Sequence, residues 1–255
     1  MPEGGEVTII SRSLNKLLKN RELKKIKIIK GGKYEEKSPL NFRPFTKKLP
    51  LKVEEVKNKG KLIYWIFSKK DGSSDFFMIN HLNMTGIWSI NQQLKHSALE
   101  FVFKNPTGFL SLFYTDIRRF GKIEFGMDIQ ELKPILNELG PDIVNDRGFS
   151  FKDFEDIAAL KRRTNITKFL MDQHNISGIG NYLKSEILYA AKVSPRRTVG
   201  SLSKKELKDI FDAAKKISKM SIEWKGMSKS DFRDIDGTKG DFQKMLKVYC
   251  RKKDD

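Results

Sequence analysis

The chain has 255 residues, with 50 Lys and Arg against 32 Asp and Glu and a formal net charge of +18. Its 38% hydrophobic and 11% aromatic content suits a globular fold with two modest cores and excludes a disordered or fibrous protein. A basic excess of this size asks for a polyanion, and because it divides evenly about residue 145 a basic tail is excluded and both halves are expected to face the partner.

The single cysteine, Cys250, argues against a disulfide framework and against a cysteine-rich zinc site, so no metal and no cofactor is expected. No apolar run approaches the roughly 18–20 residues that a membrane span needs, and MPEGGEVTII lacks the basic start of a signal peptide. A soluble intracellular protein is expected. A membrane-surface binder fits less well, since the charge is spread rather than gathered on one amphipathic helix.

In chain order, Val7 to Leu18 reads as an amphipathic helix, with Ile10, Leu14, Leu17 and Leu18 at helical spacing. From Leu23 to about Phe125 the pattern changes to short β-type runs: KIKII, KVEEV, KLIYWIF, DFFMI, GIWSI, LEFVF, FLSLFY and KIEF. Gly31-Gly32, Asn58-Lys59-Gly60, Asp71-Gly72 and Asn105-Pro106 divide them. So many strands without intervening helices predict a β-sandwich or barrel. After Gly140-Pro141, helical spacing marks Phe151–Lys161, Ile166–Met171, Gly180–Ala191 and Lys204–Lys219, with ISGIGNYL as the turn between the second and third. The last stretch is rich in turn residues and ends in a strand-like run, LKVYCRK. The expected organisation is α+β multidomain: a β-sandwich domain with a leading helix over 1–140, a helical domain over 146–225, and a lid-like loop over 226–255.

The first residues carry the most specific chemistry. Removal of Met1 before the small Pro2 would expose a secondary amine, which can attack a sugar carbon and form a cationic iminium as a Schiff-base lysine does. A following helix N-terminus disfavours the protonated amine, and Glu3 stands beside it as an acid or electrostatic partner. On these two residues alone, a plain Pro-Glu helix start explains as much.

The rest of the chain reverses that balance. MPEGGEV resembles the opening of the Fpg/Nei family of DNA glycosylases, formamidopyrimidine-DNA glycosylase and endonuclease VIII, which read MPEGPEV or MPELPEV. In the family's order follow GKLIYWIF from Gly60, HLNMTGIW from His81, DIRRFG from Asp116, ELGPD from Glu138, LMDQHNISGIGNYLKSEILY from Leu170 and DGTKGDFQKMLKVYCRK from Asp236. The resemblance spans nearly the whole chain, and several blocks look most like the Nei-like proteins of large DNA viruses. It implies a helix–two-turn–helix in the second domain. It makes Pro2 the nucleophile, Glu3 its partner, and Lys61 the β-hairpin lysine that helps hold the damaged nucleotide and moves protons. Met84, Arg118 and Phe120 match the residues that fill the void left by an extruded base, which suits an apolar wedge and a planar cation. Asn181 and the N–H groups beside it match the family's phosphate-holding helix start. His96 matches a phosphate-contacting histidine, Glu6 belongs with the opening block, and Lys161, Arg162 and Arg163 lie along the backbone track. By residue type alone, Met84 and Phe120 read as strand-end core, and the basic run as a solvated face.

Two departures stand out. The chain stops at VYCRKKDD, where relatives begin a β-hairpin finger that often holds zinc, so either a truncated or absent finger or a zincless finger beyond residue 255 is expected, and no counterpart of the family's finger arginine, which serves the second elimination step, stands in the sequence. Gly5 stands where the family has proline, which is expected to loosen the entry of the first helix. The resemblance implies a monomeric, DNA-associated glycosylase and apurinic/apyrimidinic lyase for oxidised bases in double-stranded DNA, with single-stranded DNA as a further substrate. Its rivals are a non-catalytic damaged-DNA-binding relative and an RNA- or ribosome-binding protein.

Overall fold

Each β-type run becomes one strand in the computed structural model, which describes residues 2–69, 72–73, 75–227 and 234–250. Strands β1 (Glu22–Ile28), β2 (Leu51–Lys59), β3 (Leu62–Ser68), β4 (Phe76–His81), β5 (Gly86–Ile90), β6 (Ser97–Asn105), β7 (Gly108–Asp116) and β8 (Lys122–Gly126) form one antiparallel sheet. Their order is β5-β7-β6-β1-β2-β3-β4-β8. β1 and β2 share only the pairs Glu22↔Lys52 and Leu23↔Leu51, and at this seam the sheet folds over. Trp65 on β3 lies 5.4 Å from Trp88 on β5. A flat sheet would hold these strands about 24 Å apart at the usual spacing of about 4.8 Å, so the two halves face each other as the expected sandwich. Phe67, Phe101, Phe103 and Tyr114 fill the space between them.

Helix α1 (Gly4–Leu18) places Val7, Ile10, Leu14 and Leu18 in this core. It begins earlier than the apolar spacing predicts, because Glu6 Oε2 accepts the Glu3 N–H at 2.9 Å and so caps the first turn. Gly5 does not loosen this entry. A Cβ there would lie 2.0 Å from Ser221 Oγ, so the bare glycine lets α1 seat directly on a helix of the second half. The short helices α2 (Phe42–Thr46) and α3 (Leu132–Asn137), with 5 and 6 residues, are not legible in the sequence.

The four predicted helices follow as α4 (Phe151–Leu160), α5 (Ile166–Met171), α6 (Asn181–Ala190) and α7 (Lys204–Glu223). Ser150 with Asp153 and Ser203 with Glu206 form capping boxes at α4 and α7. Their apolar faces meet in a second core around Phe154, Phe169, Tyr182, Ile187 and Ile210.

The C-terminal stretch departs from expectation. LKVYCRK forms no strand in its described residues, 246–250. The N–H groups of Lys247, Val248 and Tyr249 donate instead to the buried carboxylate of Glu186 on α6, at 2.8, 3.0 and 2.8 Å, so these donors are satisfied without a β partner. Residues 228–233 of the expected lid-like loop and 251–255 of the expected finger start lie outside the described residues. Of the described part, Ile235 packs into the sheet core and Phe242 and Leu246 into the helical one.

Candidate active site

Three segments distant in sequence converge on the N-terminus. Residues 2–4 run between the β2–β3 corner at Gly60-Lys61 and the turn that leads into α6. The Gly4 N–H donates to Gly178 O at 2.8 Å, and the Gly60 N–H donates to Asp142 Oδ2 at 2.8 Å. Ser177 Oγ donates to Gly140 O at 3.0 Å, tying the same turn to the segment before α4. The packing leaves no room for a side chain at Gly60 or Gly180. A Cβ on Gly60, whose φ is +55°, would lie 2.5 Å from Ser177 Cβ, and one on Gly180 would lie 2.3 Å from Glu3 Cδ.

Within this junction Pro2, Glu3 and Glu6 are all buried. The Glu3 carboxylate is the cap of α6: Oε2 accepts the Gly180 and Leu183 N–H groups at 2.8 and 3.2 Å, and Oε1 accepts the Tyr182 N–H at 2.9 Å. These donors and the Lys61 ammonium favour the carboxylate, whereas burial and the adjacent Glu6 favour the neutral acid. Burial dominates, and the Glu3 pKa is pushed up from 4.5 to about 7. Glu6 is likewise pushed up by burial, against donors from the Glu3 backbone, the Tyr182 hydroxyl and the Met227 N–H. Tyr182 OH donates to Glu6 at 2.8 Å, and the Met227 N–H donates to Glu6 Oε1 at 2.8 Å. Burial pulls the Lys61 ammonium down, while Glu3 and Glu6 hold it up. A carboxyl able to exchange protons near neutrality, a second buried carboxyl and a partly desolvated amine thus act on one another at the buried N-terminal junction that begins with Pro2, an arrangement suited to proton transfer.

One expectation about α6 needs correction. The N–H groups of Gly180, Tyr182 and Leu183 cannot cradle a phosphate, because Glu3 already takes them. Gly180 is the N-cap residue, and Asn181 follows it as the first helical residue. The Asn181 side chain is exposed and its Oδ1 accepts from Lys184 Nζ at 3.2 Å.

Met84, Arg118 and Phe120 form a second group at one end of the sheet, on the β4–β5 and β7–β8 loops. Met84 is 37% and Phe120 58% exposed, so neither is the core residue its type suggests. Arg118 Nη1 lies 3.7 Å from Met84 Sδ. The buried Asp116 ties the two loops together: its carboxylate accepts from Thr85 Oγ1 at 2.7 Å and from the Gly121 N–H at 2.6 Å. Thr85 Oγ1 in turn accepts the Arg118 N–H at 3.0 Å. His96, half-buried with φ +69°, stands beside this group, where its carbonyl accepts the Asp116 N–H at 3.4 Å. Lys161, Arg162 and Arg163 are exposed in the turn after α4.

Sequence reasoning overlooks Tyr182, Asp116, Asp142 and Glu186. Glu186 and Tyr182 stand four residues apart, so the carboxylate shares the buried face of α6 with the tyrosine, a placement that signals a specific partner. Asp116 closes a strand just before a turn, where aspartate often bonds nearby N–H groups.

Two family models match the chain: the formamidopyrimidine-DNA glycosylase N-terminal domain over residues 1–123 and the formamidopyrimidine-DNA glycosylase H2TH domain over residues 139–233. The chain is 32% identical over 254 residues to the formamidopyrimidine-DNA glycosylase of Desulfitobacterium hafniense, covering 98% of this chain and 89% of that protein. It is 31% identical over 258 residues to the enzyme of the same name from Mycoplasmopsis pulmonis, covering 99% and 88%. Among solved structures, the MutM (Fpg) protein from Thermus thermophilus superposes with a TM-score of 0.80 at 26% identity, covering 98% of this chain and 88% of that one. A Lactococcus lactis FPG mutant in complex with a Fapy-dG-containing DNA shares the fold with a TM-score of 0.83 at 24% identity, covering 97% and 88%.

Proposed function

The chain belongs to the formamidopyrimidine-DNA glycosylase family, and on that premise we propose that it excises oxidised bases from double-stranded DNA and cleaves the strand at the resulting site, with Pro2 as the nucleophile. It is a DNA-repair glycosylase acting on damaged DNA and associated with it. We assign it to an intracellular compartment in which DNA is repaired.

With Met1 removed, the Pro2 amine attacks C1′ of the extruded nucleotide. The glycosidic bond breaks, and its electron pair leaves with the base. Opening of the sugar ring leaves an iminium between Pro2 and C1′. The cation acidifies the 2′ hydrogen; its loss forms a C=C bond, and the 3′ phosphate departs in β-elimination. Glu3 supplies and recovers protons, Lys61 steadies the negative charge that develops and takes part in proton transfer, and Glu6 holds Glu3 through its N–H. In this reading Met84, Arg118 and Phe120 fill the vacated stack, while His96, Asn181, Arg162 and Arg163 contact the phosphate backbone.

The observation that carries the reading is Glu3, a buried carboxyl pushed up to about 7 beside Pro2 and in the field of Lys61. An acid tuned to the operating pH is what a base-excision step needs and what a plain helix cap does not. The test is a duplex oligonucleotide with one oxidised base, analysed with and without hot alkali. Strand breaks without alkali are expected. Breaks only after alkali would leave a glycosylase without lyase activity, and none in either case would leave a damaged-DNA-binding protein.

A further inference from the structure

The turn that carries Phe120 is held from a side that the chemistry does not use. After β1 the chain forms a small loop over residues 29–35, closed on itself: the Gly31 N–H donates to Glu35 Oε2 at 2.7 Å, and the Gly32 N–H donates to Ile29 O at 3.1 Å. Gly32 lies flat against the start of β6, where a Cβ would come within 2.6 Å of Ser97 O. Tyr34 anchors the loop from below. It is buried in the sheet core, and its hydroxyl accepts the Ile123 N–H at 2.8 Å.

From this base two bonds cross to the Phe120 turn. Lys33 Nζ donates to the carbonyl of Gly121, and Arg119 Nη2 donates to Gly31 O at 3.2 Å. On the opposite side Asn83 Nδ2 donates to the Phe120 carbonyl at 2.5 Å. The carbonyls of residues 120 and 121 are therefore gripped from two different loops. An exposed ring that must enter a stacked duplex gets little support from neighbouring side chains, so the main chain on either side must define its position. A lysine committed to a main-chain carbonyl does this, whereas a phosphate-binding lysine keeps its ammonium towards the solvent.

We propose that Lys33, seated by Tyr34, is a positioning residue that fixes the Phe120 turn, so that capture of a lesion in paired DNA depends on the 29–35 loop. This rests on the reading of Phe120 as the wedge. The experiment is Lys33→Met in the full chain, assayed in single turnover on two substrates: a fully paired duplex with one oxidised base, and the same duplex with the lesion in an unpaired bubble. Losing a bond from a charged donor is expected to slow the paired substrate about tenfold and the bubble by less than about twofold. Combined with Phe120→Ala, Lys33→Met should add almost nothing, and the salt dependence of binding should keep its slope. Lys33→Arg should restore much of the rate, and Tyr34→Phe, which removes one hydroxyl, should give the same pattern in smaller measure.

Equal losses on both substrates, no loss at all, or full additivity with Phe120→Ala would overturn the proposal. So would a salt slope reduced by about 0.9, which marks a phosphate ligand. If Phe120→Ala itself shows no defect confined to paired DNA, the wedge reading fails on its own. A paired-DNA defect of Lys33→Met in that case would also overturn the proposal, since the loop would then act on something else.

Discussion

Glu3→Gln separates base removal from strand cleavage, and the structure sets the size of the effect. The Glu3 pKa is raised from 4.5 to about 7, chiefly by burial. An acid with that pKa is about nine-tenths protonated at pH 6 and about one-tenth protonated at pH 8, so excision that needs its proton should fall about tenfold over this range. Gln cannot supply a proton. Excision should fall by about 10²–10⁴ at pH 6.5, and the residual rate should lose its decline above pH 7. Cleavage at a preformed abasic site should survive, because the aldehyde there is already open to the Pro2 amine. Stability provides an independent readout. A carboxyl whose folded pKa is raised contributes stability that is fully present below 4.5 and is lost as pH rises through about 7. At about 1.4 kcal/mol per pH unit between the two pKa values, the wild type should lose about 2.5 kcal/mol relative to Glu3→Gln between pH 5 and pH 8. The assays are single-turnover excision and abasic-site cleavage across pH, with thermal melts of both proteins. If Glu3→Gln keeps the decline above pH 7, or slows both reactions equally, Glu3 is not the acid that releases the base.

The void-filling group predicts a dependence on substrate: Met84→Ala or Phe120→Ala should impair cleavage in duplex DNA much more than in single-stranded DNA, since unstacking costs only a few kcal/mol and least when the base is unpaired. Equal impairment would return Met84 to a structural role. Gly5→Ala would ordinarily strengthen a helix, but its Cβ meets Ser221, so thermal melts should show a net loss of about 1 kcal/mol. In a Ser221→Gly background the same change should stabilise, and a loss in both backgrounds would refute the contact as its cause. With a net charge of +18, affinity for undamaged duplex should fall about a hundredfold between 50 and 200 mM salt if about four phosphates are neutralised. A nearly flat titration would contradict a basic DNA-binding face.

Much of the architecture is legible in the residues because it is local. Strands such as KLIYWIF and FLSLFY carry β-branched and aromatic residues between turn signals, and α7 carries apolar residues at helical spacing with a Ser203–Glu206 box at its start. The failures have physical causes. LKVYCRK alternates like a strand, yet the N–H groups of Lys247, Val248 and Tyr249 within it are taken by Glu186 on α6. The N–H groups beside Asn181 are expected to hold a phosphate, but Glu3 takes those of Gly180, Tyr182 and Leu183, and its bond to Gly180 spans 177 positions. No sequence window contains both partners. The opening residues and Lys61 point to chemistry mainly through the resemblance. Their burial together, and hence the raised pKa of Glu3, appears only when β3, α1 and α6 are assembled. Phe120 shows the converse: its type suggests core, and only the fold leaves it 58% exposed.

The central claim is that the Pro2 amine forms the bond to the sugar, and covalent trapping tests it most directly. Borohydride added during reaction with DNA carrying an oxidised base should reduce the iminium and leave a stable protein–DNA adduct. Peptide mapping by mass spectrometry should place the modification on an N-terminal peptide that begins at Pro2, with Met1 absent. An adduct mapped to Lys61 or any other internal lysine, or efficient trapping by protein that retains Met1, would contradict the account.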